Sequence, residues 1–155
     1  MSRDRSGFTL FELLTTIVMI GIILGIAYPK LTQMSQGTNL RSARGALITA
    51  LNVAKSSAIV SGKCAYLRLA SNAVTVFTTA CQGGTQIEVV SSRNFGVDYG
   101  VTTTLTRGSG SAAATDSIGF DPRGVPINNT QTVTFTVTKG VYTKTVLVGN
   151  YGRIQ

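Results

Sequence analysis

The sequence predicts an α+β fold: a long N-terminal helix, transmembrane and then amphipathic, packed on an antiparallel β-sandwich-like head. Three observations carry that expectation. Apolar residues concentrate between Phe8 and Tyr28. From Leu40 to Ala58 they recur at three- and four-residue steps. Beyond Cys64, helical periodicity gives way to short β-branched runs separated by turn residues. A chain of 155 residues has room for one such head. The expected organisation is a leader at 1–7, a transmembrane helix at 8–29, an amphipathic helix at 30–62 and a β-rich head at 63–155.

The first element rests on length and charge. Residues 8 to 28 carry a single charged side chain, Glu12. As a helix they span roughly 31 Å, the thickness of a bilayer's hydrocarbon core. Arg3 and Arg5 precede the run, so the positive-inside rule holds the leader in the cytoplasm and sends the remainder across. The run is longer than the apolar region of a secretory signal and no A-x-A-like cleavage site follows it. The segment is therefore expected to stay in the mature protein.

A plain anchor leaves Glu12 unexplained. A carboxylate in an apolar helix costs on the order of 3 kcal/mol at mid-membrane, and less near an interface. Such a group normally has a partner. Cleavage between Gly7 and Phe8 would free an ammonium group on Phe8, four residues before Glu12. Between packed chains that amine can meet a neighbour's carboxylate, and the pair then sets the axial register of the helices.

The segment Gly7-Phe8-Thr9-Leu10-Phe11-Glu12-Leu13 resembles the class III signal of type IV pilins and type II secretion pseudopilins. Phe11 is a departure, since Ile or Val is more usual there. The resemblance implies cutting by a prepilin peptidase after Gly7, N-methylation of Phe8, and use of Glu12 in assembly. It also implies residence in the bacterial inner membrane, with the head outside the cytoplasm. Other pilins or pseudopilins, and an inner-membrane assembly platform, are the partners it implies.

The second element begins at Pro29, which is expected to kink or bend the helix. Leu40, Ala43, Leu47, Ala50, Leu51, Ala54 and Ala58 then form one apolar face, with Arg41, Arg44, Asn52, Lys55 and Ser56 on the other side. That face is expected to wall the core of the head. Ser61-Gly62 reads as the helix stop.

In the head, residues 66–69 and 74–77 flank Ser71-Asn72, a hairpin turn signal. A turn centred between Asn72 and Ala73 puts Cys64 directly opposite Cys81. A disulfide there fits an oxidising compartment; two free thiols are the alternative. Residues 86–91 read as a further strand, and 107–115 as a mobile loop of small residues. Residues 132–138 alternate Thr with Val133, Phe135 and Val137 as a half-buried strand does. A turn at Lys139-Gly140 leads into a partner strand from 141 to 148. Strict pairing about that turn sets Lys144 against Phe135, which conflicts with an apolar core face.

Phe120-Asp121 with Arg123-Gly124, and the later Gly152-Arg153-Ile154, resemble the GspH/FimT group of minor pilins and pseudopilins. FimT-like members implicated in DNA uptake end in Gly-Arg-x-Arg. Here Gly152 and Arg153 are present, but Gln155 stands at the second Arg position. Arg153, Lys139, Lys144 and Arg107 are the residues expected for a phosphate-binding patch, against the plainer reading of scattered solvated charges.

Composition narrows the function classes. There are 14 basic and 6 acidic side chains, a formal charge of +8, which falls to +7 once Arg3, Asp4 and Arg5 are removed. Such a charge favours anionic partners, DNA or acidic lipid among them, and also serves solubility. There is no His and no Cys, Asp and Glu cluster at metal-ligand spacing. No Ser, Lys or Tyr spacing pairs a nucleophile with a base. A structural subunit that primes or assembles a filament is the first expectation. A DNA-binding minor pilin of an uptake pilus is the second. An enzyme is not expected, and neither is a cofactor.

Overall fold

The computed structural model describes residues 8–127 and 131–155. Helix α1 spans Leu10–Ser61, and the helical assignment continues through Pro29 without a break. The chain divides into two compact units, one up to Gln36 and one from Gly37 to Gln155.

In the first unit the apolar side chains of α1 are exposed throughout, from Leu10 to Leu31 and Met34. Among the described residues of this unit, none is buried. The helix here is uniformly apolar rather than amphipathic, as a membrane or filament core demands.

The second unit holds the rest of α1 and seven strands. Four form one antiparallel sheet in the order β3-β2-β1-β5: β1 Cys64–Ala70, β2 Ala73–Thr79, β3 Ile87–Asn94 and β5 Thr115–Phe120. Three form a second, in the order β4-β6-β7: β4 Thr102–Arg107, β6 Val133–Lys139 and β7 Tyr142–Val148. A one-turn helix, α2, occupies Phe95–Tyr99. Both sheets turn an apolar face to the same core. Leu40, Ala43, Leu47, Leu51, Ala54 and Ala58 from α1 pack there with Leu67, Val76, Ile118 and Phe120 from one sheet and Leu105, Phe135, Val137 and Val146 from the other. The stripe read from helical spacing is thus the wall of the core, as expected. Full burial of each Leu in it contributes about 1.5–3 kcal/mol.

Gly62, at φ 63, ends α1 where the sequence placed the stop. The first hairpin turns at Ser71 and Asn72, whose φ values of 48 and 72 suit a two-residue type I′ turn. Its register corrects the sequence expectation. The turn centres between Ser71 and Asn72, so Ala70 pairs with Ala73 and Cys64 with Thr79. The disulfide is formed nevertheless, with a Cα–Cα distance of 4.9 Å. Cys81 lies past the end of β2, where Gly83 N–H donates to Ala80 O at 2.9 Å and the chain turns.

The second hairpin departs from expectation in the same way. Lys139 pairs with Tyr142 rather than lying in the turn, and Gly140 takes φ 59 at the first turn position. The shift puts Val146 opposite Phe135 and Lys144 opposite Val137. An apolar residue then completes the core row, and the lysine moves toward the rim. Burial of the strand face decides the register here.

Three elements were not read from the sequence: α2, β4 and β5. In α2, Asn94 is the N-cap, accepting from Gly96 and Val97 N–H, and Gly100 supplies a left-handed C-cap at φ 61. Strand β4 is mostly threonine, with Thr103 and Leu105 buried. The stretch after it is held more firmly than a mobile loop would be: Leu105 and Ala113 exchange two backbone hydrogen bonds, and Ser71 N–H donates to Ala114 O at 3.0 Å.

The disulfide closes a loop of sequence separation 17. Replacing Cys64 and Cys81 together by Ser should lower unfolding stability by about 3 kcal/mol. Urea unfolding of the oxidised parent and of the variant measures the difference.

Candidate assembly and surface sites

Glu12 sits in the first turn of α1. Its backbone N–H donates to the Thr9 hydroxyl at 3.2 Å, so Thr9 is the helix cap and Glu12 stands three residues inside it. Thr-x-x-Glu is itself a capping signature, and a carboxylate at this position is favoured by the positive end of the helix dipole. The next polar groups are satisfied locally. Thr15 and Thr16 hydroxyls donate to the carbonyls of Glu12 and Leu13 at 3.0 and 2.7 Å. Among the described residues Glu12 has no ion-pair partner in its own chain. Phe8, the residue expected to become the N-terminus, is exposed; Gly7 lies outside the described residues.

The residues expected to form one basic patch are distributed over both ends of the three-stranded sheet. Arg107 pairs with Val133, which pairs with Val148, and Val148 bridges to Ile154 beside Arg153. Lys139 and Lys144 lie at the opposite end of the same strands. Four residues of extended chain separate the two rows, about 13 Å. The four cations therefore do not converge.

Their individual settings also differ. Arg107 makes a two-pronged pair with Asp116, Nε to Oδ2 at 2.9 Å and a terminal amino group to Oδ1 at 3.0 Å, and donates to the Ser117 carbonyl. Lys139 Nζ donates to Tyr99 O at 2.7 Å, closing the C-terminal end of α2. Arg153 belongs to a tight turn in which Gly149 N–H donates to Arg153 O at 2.9 Å, with Tyr151 exposed beside it. Lys144 shares a pocket of about 480 Å³ with Arg41, Arg44 and Thr145.

The two short motifs of the head meet in space. Asp121 caps the turn after β5, accepting through Oδ1 from the N–H groups of Arg123 and Val125, both at 2.9 Å. Gly124 takes φ 79 there, and Gly152 takes φ 74 in the C-terminal turn. A Cβ on Gly152 would lie 2.5 Å from Gly124 O, so the two loops touch only because this residue is glycine. Lys55 completes the contact: its Nζ donates to Gly152 O at 2.9 Å. Lys55 and Arg44, placed on the solvent side of α1 by periodicity, are half-buried at the edges of the stripe. Both reach head carbonyls.

A helix that leaves its apolar half uncovered, with one carboxylate in its first turn, joined in sequence to a disulfide-closed β head, defines a pilin-type subunit. The comparisons agree. The family described as Type II transport protein GspH matches residues 43–152, and the prokaryotic N-terminal methylation motif matches residues 2–28. The chain belongs to the GspH family. Among solved structures, it is similar to the type IV minor pilin FimU of Pseudomonas aeruginosa, with a TM-score of 0.58 at 18% identity, over 79% of this chain and 90% of that one. It is also similar to the minor pseudopilin EpsH of the type 2 secretion system of Vibrio cholerae, with a TM-score of 0.59 at 13% identity, over 76% and 94%. At these identities the likeness is one of fold. No curated protein matches the sequence.

The Arg107 hydrogen bonds hold the Asp116 carboxyl below the usual carboxylate range, against burial, which pushes it up. A depressed folded-state value contributes stability above the unfolded value and loses it as pH falls through the folded one. Thermal stability should thus fall below about pH 4 in the parent. Asp116→Asn should lose less stability over the same acid range, which a pair of melting-temperature profiles from pH 7 to pH 3 will show.

Proposed function

We propose that this protein is a minor pilin or pseudopilin that helps prime and assemble a type IV pilus or type II secretion filament. A prepilin peptidase cuts between Gly7 and Phe8 and methylates the new amine. The chain is held in the bacterial inner membrane by α1, with its head on the extracytoplasmic side, where an assembly platform incorporates it beside other pilins. The observation that carries this reading is the uncovered apolar run of α1 with Glu12 as its one carboxylate. An exposed surface of that size requires lipid or other helices around it. Within a sheath of neighbouring helices, the Glu12 carboxylate needs a cation, and a neighbour's methylated amine supplies one. The disulfide supports an oxidising setting for the head.

A second reading, contact with DNA, is favoured by the C-terminal turn. Tyr151 is 90% exposed and stands beside Arg153. An aromatic face next to a cation is the combination that holds a single strand, by base stacking and phosphate pairing.

Glu12→Ala should leave N-terminal processing intact, with the mature mass beginning at Phe8, and reduce recovery in sheared filaments at least about tenfold, as loss of a buried ion pair would. Undiminished recovery would sink the assembly reading. For the second reading, the full chain in nonionic detergent should retard single-stranded DNA in a salt-dependent way. Arg153→Ala should lower the slope of log affinity against log salt by about 0.7. No retardation at low salt would remove it.

A further inference from the structure

We infer that the pocket formed by Arg41 and Arg44 of α1 and Lys144 and Thr145 of β7 is a binding site for an oxyanion of the phosphate class. The pocket has a volume of about 480 Å³ and is walled by three cationic side chains and no carboxylate. Arg41 and Arg44 are three residues apart on one helix, so they project from neighbouring turns. Lys144 approaches from the strand. The register of the second hairpin brings it there, opposite Val137 at the rim of the core face.

Two features separate this cluster from ordinary solvated charge. The first is a fixed guanidinium. Arg44 Nε donates to Thr145 O at 3.0 Å, which orients the fork and leaves its two terminal amino groups for another acceptor. The second is the lack of an internal counter-ion. Each Asp described in the head is committed to a different Arg: Asp98 to Arg93, Asp116 to Arg107 and Asp121 to Arg123. The remaining head acid, Glu88, lies on β3 in the other sheet and accepts from Ser92 N–H. Three like charges gathered in one pocket repel one another, and an anion placed among them relieves that repulsion. A tetrahedral oxyanion of charge near two, with three strong acceptors, suits two planar forks and an ammonium group better than a single carboxylate does.

The site does not depend on filament membership, since it is a property of the isolated chain. The test uses the full chain in nonionic detergent and inorganic phosphate as the probe, with chloride at matched ionic strength as the control. Phosphate should raise the melting temperature of the parent in a saturable way, because a ligand bound only to the folded state stabilises it. Arg41→Gln with Lys144→Gln should weaken the phosphate response at least about tenfold. Lys144→Gln alone, at an exposed strand position, should weaken it less and serves if the double variant folds poorly. Two further arms separate the source. Insertion into phosphatidylglycerol nanodiscs, but not phosphatidylcholine ones, should abolish the phosphate response if a lipid headgroup fills the site. A free phosphate would act equally in both. A response equal in parent and variants, or none beyond that of chloride, overturns the assignment, and so does tight capture of single-stranded DNA that both variants retain in full while phosphate has no effect.

Discussion

The apolar stripe of α1 from Leu40 to Ala58 is the contact on which the head depends. Neither sheet could bury its inner face alone: one has four strands, the other three, and the core residues of both share one cluster with this helix. The residue sizes along the stripe matter. Leu40, Leu47 and Leu51 are large, Ala43, Ala54 and Ala58 are small, and all six are buried. A few fully buried leucines at about 1.5–3 kcal/mol each outweigh the exposed ion pairs of the surface, which are worth roughly 0–1 kcal/mol. The same helix continues in sequence into the uncovered apolar segment, so one element serves both core and anchor.

The chain after β7 is tied to that strand by backbone hydrogen bonds and to this helix by the Lys55 side chain. Leu147 and Gln155 exchange hydrogen bonds at 2.9 and 3.0 Å, which gives part of the edge of β7 a partner. Lys55 holds Gly152 O, and Gly152 in turn rests against Gly124. The residues that carry the likeness to the GspH family in the head are thus largely architectural. Phe120 is buried, Asp121 builds a turn, and the two glycines let loops from different parts of the chain meet. Asn72 does similar joining work elsewhere: its carbonyl accepts from Phe95 N–H and its side chain from Thr103 N–H at 2.8 Å, so a hairpin of one sheet is bonded to β4 of the other.

Charge in the head is organised rather than dispersed. The aspartates each neutralise a local arginine, and the excess positive charge collects where no acid is near. One such place is the Arg41, Arg44 and Lys144 pocket, and another is the turn carrying Tyr151 and Arg153. They lie toward opposite ends of β7, so a partner at one is independent of a partner at the other.

Elements whose signal is periodic or compositional could be read from the residues alone. The apolar run, the stripe from Leu40 to Ala58, the stop at Gly62 and the Val133-Phe135-Val137 alternation were all legible, because each follows from local geometry and the need to hide apolar surface. The elements missed, α2, β4 and β5, are short; the Asn94 cap, the Gly100 stop and the threonine run were the available signals for the first two. Register and convergence belonged to the tertiary structure. Both hairpins sit two residues from the spacing read along the chain, and a two-residue shift preserves each strand's faces, so alternation cannot detect it. Only packing against the rest of the core selects Val146 over Lys144 as the neighbour of Phe135. For the same reason the basic residues could be named from sequence but not grouped: distance along a chain carries no information about which strand end, or which turn of a helix, two cations share.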